Sequence, residues 1–143
     1  MKTISYNKIN ALESDYLYTD LSQLPHAGKG LYTAITIYKD EMIAIFTGEI
    51  LNIEESKQRA ENGKDLYFIN LPDGTILDSM HSKCFAKFAN DAAATSSSAL
   101  KNNTKIAFDD EGRVGIIAMR NIKTGEELFC NYGKRYWRKH VII

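Results

Sequence analysis

The hydrophobic positions of this chain fall in short runs separated by turn-forming residues, a pattern typical of a mostly β protein with few short helices. The run Met42–Phe46 is apolar throughout, as in a buried strand. Pro72-Asp73-Gly74 is a strong turn signal between two apolar runs and predicts a hairpin. The predicted strands cover residues 42–46, 65–71, 75–78, 105–108, 113–119 and 128–132.

One segment, residues 53–62, has the features of a regular helix. Asn52 is a good N-cap residue, and Glu55 stands three positions later, as in a capping box. Gly63 follows as a stop signal. A short helical turn is also predicted within residues 7–14.

Two stretches of the chain share one pattern, a polar turn followed by a hydrophobic strand, at a constant offset. The repeat predicts two similar β-turn-β units. The matching positions are Ile37, Glu41 and Ile43 in the first unit and Ile122, Glu126 and Leu128 in the second.

The chain has 143 residues, the size of one domain that can bury a hydrophobic core. Hydrophobic residues make up 44% and charged residues 25%, close to the globular average, so a disordered or fibrous chain is excluded. Lysine and arginine number 18, and so do aspartate and glutamate. This zero net charge argues against a dedicated nucleic-acid binder. We expect one domain over residues 1–143.

The sequence predicts neither a membrane protein nor a metal site. No apolar run approaches the ~20 residues of a membrane span, and Met1–Lys8 lacks the apolar core of a signal peptide. We therefore expect a cytoplasmic or nuclear protein. Cys84 and Cys130 lie far apart and form no Cys-x-x-Cys, so we predict reduced, buried thiols and no metal ligands.

Four motifs stand out, although each alone has an ordinary structural explanation. Gly28-Lys29-Gly30-Leu31 allows close backbone approach to a ligand but is also typical of a plain turn. Phe46-Thr47-Gly48-Glu49 is a strand end, and Lys87-Phe88-Ala89-Asn90-Asp91 is typical of a turn stabilised by Asn and Asp. The stretch 125–133 ends a strand in Tyr132-Gly133, and two aromatic residues that suit a pocket or a core follow at 136 and 137.

Together, in this order, the four motifs resemble the SET-domain family of protein-lysine methyltransferases over residues 22–137. The first resembles the family's Gly-x-Gly cofactor loop, the second its Tyr-x-Gly strand end, and the third its Arg-Phe-x-Asn-His-Ser-Cys segment. Residues 125–133 resemble the ending Gly-Glu-Glu-Leu-x-x-Asp-Tyr-Gly, and Asn103 matches a later Pro-Asn. Because flanking cysteine clusters are absent, the chain resembles a minimal member.

The resemblance implies a fold of small sheets with a knot-like C-terminal crossing, S-adenosylmethionine as cofactor, and a lysine of a protein or peptide as acceptor. Histone tails are common substrates in the family. Tyr132 would be the catalytic residue, and Phe46, Tyr67 and Ile106 would wall the lysine channel. The cofactor-binding residues implied are Lys29, Gly30, Leu31, Tyr67, Lys87, Asn90, Asp91, Tyr132 and Trp137.

The chain departs from the family pattern at Asp91, which stands where His is usual, at Ala92-Ala93 for Ser-Cys, at Phe46 for Tyr and at Asn131 for Asp. These departures leave an alternative open, a SET-like module with weakened catalysis that binds a peptide or the cofactor. A basic stretch at 134–140 suggests nucleic-acid contact, but a solvated tail explains it better, and we expect no direct nucleic-acid binding. A homodimer is also left open.

Overall fold

The fold is made of three small sheets, as a computed structural model that describes residues 6–94 and 99–131 shows. The strands are β1 (Leu17–Leu21), β2 (Lys29–Thr33), β3 (Met42–Ile45), β4 (Glu49–Leu51), β5 (Phe68–Asn70), β6 (Ile76–Asp78), β7 (Thr104–Phe108), β8 (Val114–Ala118), β9 (Glu127–Leu128) and β10 (Cys130–Asn131). The helices are α1 (Glu13–Tyr16) and α2 (Ile53–Glu61), with 3-10 turns at Ala86–Phe88 and Ala92–Ala94. The sheet orders are β1-β2-β9, β10-β7-β8-β3 and β4-β6-β5.

The predicted mostly β class and both predicted hairpins are confirmed. Strands β5 and β6 pair antiparallel from Phe68↔Asp78 to Asn70↔Ile76. Strands β7 and β8 pair antiparallel over five positions, and every residue of β8 is buried. The apolar run at 42–45 forms β3 on the far side of β8, as expected for a buried strand.

The predicted helix at 53–62 is confirmed as α2, with the capping box that its sequence indicated. The Asn52 side chain accepts a hydrogen bond from the Glu55 amide (2.9 Å), and the Glu55 carboxylate accepts one from the Asn52 amide (3.3 Å). Farther along α2, Arg59 forms ion pairs with Glu49 of β4 (2.9 Å) and with the buried Asp78 of β6 (2.7 Å). These pairs attach the helix to its sheet.

The helical turn predicted within residues 7–14 is displaced towards the C-terminus, because α1 covers Glu13–Tyr16 and shares only its first two residues with that stretch. Residue Lys8 instead forms an isolated parallel bridge with Met42 at the edge of β3. The helical turn is held by Tyr16, which is 2% exposed and donates a hydrogen bond to the Ile43 carbonyl (2.5 Å). A long-range contact therefore decides where this helix lies.

The two predicted β-turn-β units exist, and they pair with each other. The backbone groups of Ile37 and Ile122 exchange two hydrogen bonds (2.8 and 2.7 Å). In each unit a glutamate, Glu41 or Glu126, accepts a bond from the amide three residues before it (2.7 and 2.5 Å). The equivalent strand pairs are β3 with β8 and β9 with β2. Each turn has one residue with positive φ, Asp40 (70°) and Gly125 (88°).

The predicted final strand at 128–132 is wrong in one respect, because this segment is divided between two sheets. Strand β9 pairs antiparallel with β2 at Leu31↔Leu128. Strand β10 pairs parallel with β7 at Cys130↔Thr104. The C-terminal segment thus crosses from one sheet to another. Residues 132–143 lie outside the described residues.

The hydrophobic core lies between these sheets and includes the fully buried Ile43, Ile116 and Leu128. A smaller cluster of Leu24, Ala92 and Phe129 lies beside the C-terminal segment. In the part of the chain that the structure describes, no helix combines the length and the apolar character that crossing a membrane requires.

We expect replacement of Asn52 by alanine to lower the free energy of unfolding by about 1 kcal/mol, because it removes the N-cap of α2. Urea unfolding followed by circular dichroism measures this change. The matched control is Asn52→Asp, which keeps a side-chain oxygen acceptor. An equal loss in both variants would contradict the capping explanation.

Candidate functional site

A cavity of about 390 Å³ lies where several loops and strand ends meet. Its volume falls within the usual range of small-molecule sites, about 300–1,000 Å³. Most of its wall is apolar, with a few polar groups among the aromatic and aliphatic ones. The lining residues are Ala27 and Lys29, Phe46, residues 66–69, Ser79 and residues 87–91.

The cavity brings together residues that lie far apart in the sequence and that the motif analysis singled out. Six of the predicted site residues line it, namely Lys29, Phe46, Tyr67, Lys87, Asn90 and Asp91.

Three other predicted site residues do not line this cavity. Leu31 is fully buried in the core, Gly30 packs against Glu127, and Ile106 is half-buried on β7 against the core. The two remaining predictions, Tyr132 and Trp137, lie outside the described residues.

Asn90 joins the Gly-x-Gly strand to the C-terminal segment. Its side-chain amide donates a hydrogen bond to the Lys29 carbonyl (3.0 Å). Its own carbonyl accepts one from the Cys130 amide (2.8 Å), and a parallel bridge links it to Phe129. One wall of the cavity is therefore fixed by backbone groups from three separate segments.

Asp91, the residue that replaces the family's histidine, stabilises the loop that follows it. The residue is 3% exposed, and its Oδ1 accepts hydrogen bonds from the Ala93 amide (2.9 Å) and from the Asn102 side chain (2.7 Å). The Asn102 oxygen in turn accepts a bond from the Ala92 amide (2.8 Å). The bond from the Ala93 amide to the Asp91 carboxylate forms an Asx turn, the structural role that the sequence also allowed.

The Lys87 ammonium is held by the backbone. It donates hydrogen bonds to the carbonyls of Ser79 (3.3 Å), Met80 (3.1 Å) and Ser82 (2.8 Å). It also lies 5.6 Å from the ring centre of Tyr67, within cation–π range. Lys87 thus fixes the loop at 79–82, and both Ser79 of this loop and Lys87 line the cavity.

Phe46, directly after β3, lines another part of the cavity. It is 4% exposed and belongs to the hydrophobic core cluster, and its amide donates to the Val114 carbonyl (2.8 Å). Position 48 requires glycine, because a Cβ there would clash with the Asp78 carbonyl oxygen. The Phe-Thr-Gly motif therefore reflects close backbone packing at this rim.

Glu127 lies in the recognised motif at 125–133, but its residue type predicted no role for it. Glu127 is 2% exposed, and its carboxylate accepts hydrogen bonds from the Ser22 hydroxyl (2.6 Å) and the Gln23 amide (2.8 Å). The internal repeat held the signal that this position is buried. Its equivalent in the first unit is Met42, which is fully buried.

Asn103 is a second buried polar residue that holds the C-terminal segment. Its side chain donates to the Glu127 carbonyl (2.9 Å) and accepts from the Phe129 amide (2.8 Å). The residue is 2% exposed, so water cannot replace these bonds. Asn103, which was predicted to match a family position, therefore has a structural role in this fold.

Both cysteines are buried and free, in agreement with the sequence prediction. Burial raises the pKa of the Cys130 thiol to about 12, against a smaller opposing effect of the hydrogen bond with Thr104. Within residues 6–94 and 99–131, no group of three or more His, Cys, Asp or Glu side chains is arranged to hold a metal ion.

Comparisons with known proteins give one family. The SET domain family model matches residues 28–133, about three quarters of the chain. Histone-lysine N-methyltransferase EZA1 of Arabidopsis thaliana is 30% identical over 110 residues, 74% of this chain and 12% of that protein. Histone-lysine N-methyltransferase mes-2 of Caenorhabditis elegans is 31% identical over 123 residues, which are 81% of this chain and 15% of that protein. The chain therefore spans a small part of these relatives.

We expect Asn103→Ala to lower the free energy of unfolding by about 2–3 kcal/mol, because it leaves a buried carbonyl and a buried amide without partners. Urea unfolding measures the change. The matched control is Asn121→Ala, since Asn121 is exposed and its side chain accepts a single bond from the Lys39 amide. Similar losses in the two variants would contradict the role assigned to Asn103.

We expect neither thiol of the folded protein to react with a thiol-specific aromatic disulfide at pH 8. Both side chains are buried, and the raised pKa of Cys130 keeps its thiol protonated. Absorbance of the released product should show two reactive thiols only after denaturation in guanidinium. Rapid labelling of one thiol in the native protein would be inconsistent with this packing.

Proposed function

The chain belongs to the SET-domain family, and from this premise we propose that it is a protein-lysine N-methyltransferase that uses S-adenosylmethionine. SET methyltransferases generally use this cofactor, and the relatives compared above are named histone-lysine N-methyltransferases. The proposed substrate is a lysine of a protein or peptide, with histone or histone-like tails as the first candidates.

The observation that carries this proposal is the convergence of separate motifs on one cavity. Lys29 comes from the Gly-x-Gly motif, Phe46 from the strand end, and Lys87, Asn90 and Asp91 from the third motif. A shared cavity is what a common ligand requires, and motifs that served only as local turns would have no reason to meet.

The chemistry of the cavity fits the proposed cofactor. An adenine ring and a thioether chain need apolar surface, which the aromatic side chains of Tyr67 and Phe88 supply. The amino-acid end and the sulfonium charge need polar groups, which lie at Asn90 and at the buried carboxylate of Asp91. Mixed walls with a few convergent polar groups are typical of cofactor sites.

We propose that Asn90 holds the amino-acid end, helped by backbone groups near Lys29 and Gly30, whereas Leu31 lies in the core and outside the cavity lining. The sequence predicted that Lys87 contacts the cofactor, but its ammonium already bonds to three backbone carbonyls. We propose that it acts first by holding the loop at 79–82, and that any contact with the cofactor carboxylate comes second.

The acceptor lysine must lose its proton before its amine can react. Its pKa of about 10.4 makes the neutral form cost about 4.6 kcal/mol at pH 7. Burial in an apolar channel lowers this pKa, because desolvation disfavours the ammonium. The proposed channel walls are Phe46, Tyr67 and Ile106. The bound cofactor supplies an electrophilic methyl group, and the channel supplies the position and the protonation state of the amine.

Two residues of the proposed site, Tyr132 and Trp137, lie outside the described residues. Tyr132 is proposed to orient the amine through its hydroxyl, and Trp137 to stack on adenine. The domain is proposed to cover residues 1–143, with its core at 22–137. A cytoplasmic or nuclear location follows from the proposed histone substrates.

A binding module with weakened catalysis is the second candidate, and Asp91 is the observation that favours it. Its carboxylate accepts bonds from Ala93 and Asn102 within the loop, an arrangement that contains no imidazole. Such a module would bind S-adenosylmethionine or a lysine peptide without transferring the methyl group. Binding and transfer must therefore be measured separately.

We expect the protein to bind S-adenosylmethionine in calorimetry and to transfer labelled methyl groups to core histones. We expect Tyr132→Phe to lower turnover about a hundredfold with little change in cofactor affinity, because it removes one orienting hydroxyl. Intact-mass analysis and label counting measure the transfer.

The control for this variant is Tyr38→Phe, since Tyr38 is 60% exposed and lies outside the cavity lining. Binding without any transfer to histones or to other lysine-bearing proteins would favour the module. Unchanged turnover in Tyr132→Phe would remove Tyr132 from the mechanism.

A further inference from the structure

We propose that Glu127 is a positioning residue that anchors the loop before the Gly-x-Gly motif, residues 22–28, to the C-terminal segment. This proposal rests on the proposed function, in which that loop and the segment border one cofactor site. The two parts are more than 100 positions apart in the sequence, and the Glu127 carboxylate joins them directly.

Two donors bond closely to this buried carboxylate, and a third lies within reach. Oε2 accepts from the Ser22 hydroxyl (2.6 Å), and Oε1 accepts from the Gln23 amide (2.8 Å). The Tyr32 hydroxyl lies 3.2 Å from Oε1, but its single hydrogen is shared with the Leu21 carbonyl, which is closer (2.5 Å). An ionised carboxylate only accepts hydrogen bonds and has room for about four of them. It therefore matches a site surrounded by donors better than an amide, which would direct two N–H groups at them.

The anchor continues into the loop. The Ser22 oxygen accepts a bond from the Leu24 amide (3.1 Å), while its hydrogen points to Glu127. Leu24 packs with Ala92 and Phe129 in the smaller hydrophobic cluster, and Ala27 packs against that cluster and lines the cavity. The carboxylate thus fixes the path of the chain that leads to the cavity wall.

Gly30 is shaped by the same contact. A Cβ at this position would lie 2.2 Å from Oε2 of Glu127. The second glycine of the motif therefore makes room for the carboxylate, independently of any bound ligand.

At the equivalent site of the other β-turn-β unit the buried side chain is apolar. The residue equivalent to Glu127 is Met42, and the one equivalent to Gly30 is Gly115. A Cβ at Gly115 would meet the Ala44 carbonyl oxygen first and would also lie 3.1 Å from the Met42 sulfur, so this glycine packs against both the neighbouring backbone and the partner side chain. The same packing is apolar in one unit and polar only in the unit that borders the cavity.

Glu127 also stands at the start of the segment that carries the proposed catalytic tyrosine. Leu128 pairs with Leu31, and the Glu127 carbonyl accepts a bond from Asn103. Tyr132 follows five positions later in the sequence. The bonds to Glu127 therefore fix the position of the loop at 22–28 relative to the start of the C-terminal segment.

The test replaces Glu127 by methionine, the residue that the chain itself uses at the equivalent position. The exchange keeps the size of the side chain but leaves the Ser22 hydroxyl and the Gln23 amide without their acceptor, so we expect a folded variant of lower stability. We expect faster amide hydrogen exchange in residues 22–28 and about tenfold weaker S-adenosylmethionine binding, because the loop loses its acceptor. Exchange mass spectrometry and calorimetry measure the two effects.

Two further variants separate positioning from packing. Glu127→Gln keeps the size and one acceptor oxygen and should fall between the wild type and Glu127→Met in both measurements. Glu126→Gln is the matched control, because the Glu126 carboxylate bonds to Arg120 and Lys123 at the surface, and it should change neither. Thermal unfolding of each variant shows that every measurement is made on folded protein.

Unchanged amide exchange in residues 22–28 of folded Glu127→Met would overturn the proposal. Provided that the wild type binds S-adenosylmethionine, an unchanged affinity of Glu127→Met for it would also overturn the proposal. Should Glu127→Met fail to fold, the comparison of Glu127→Gln with Glu126→Gln decides by the same two criteria. A wild type that binds no S-adenosylmethionine would overturn the proposed function. The exchange measurement would then still decide whether Glu127 anchors the loop.

Discussion

The rest of the structure depends on how the segment Glu127–Asn131 satisfies its hydrogen bonds inside the protein. Its backbone pairs with β2 at one end and with β7 at the other, and Asn90 and Asn103 bond to it between the two. Buried backbone groups must find partners, because an unpaired one costs about as much as a lost hydrogen bond. The segment therefore holds together three parts of the chain that have no local reason to meet, namely β2, the stretch at Asn90, and Asn103 with β7.

The cavity is a consequence of this arrangement. Its walls come from loops and strand ends, and polar side chains that bond to backbone carbonyls hold these in place, Asn90 on Lys29 and Lys87 on the loop at 79–82. Such bonds fix the position of a loop while apolar groups line the cavity between them. The result is a cavity with a mostly apolar wall and a few fixed polar groups.

The two β-turn-β units show how one packing solution serves two purposes. Both use a glycine facing a long buried side chain, and both use a glutamate to close the turn. In the unit formed by β3 and β8 the buried side chain is Met42, and the contact belongs to the core. In the unit beside the cavity it is Glu127, and its hydrogen bonds reach the loop that leads to the cavity wall.

The sequence by itself determined the features whose causes are local: the capping box of α2, the two hairpins, the buried strand at β3 and the repeat of the turns, since each arises from residues a few positions apart. It also indicated six of the residues that line the cavity, because their motifs keep a recognisable order. Only the tertiary structure decided that the last strand divides between two sheets, that the Lys87 ammonium bonds to three carbonyls, and that Glu127 meets Ser22. These contacts join residues brought together by burial across the whole chain, and no pattern of neighbouring residues encodes them.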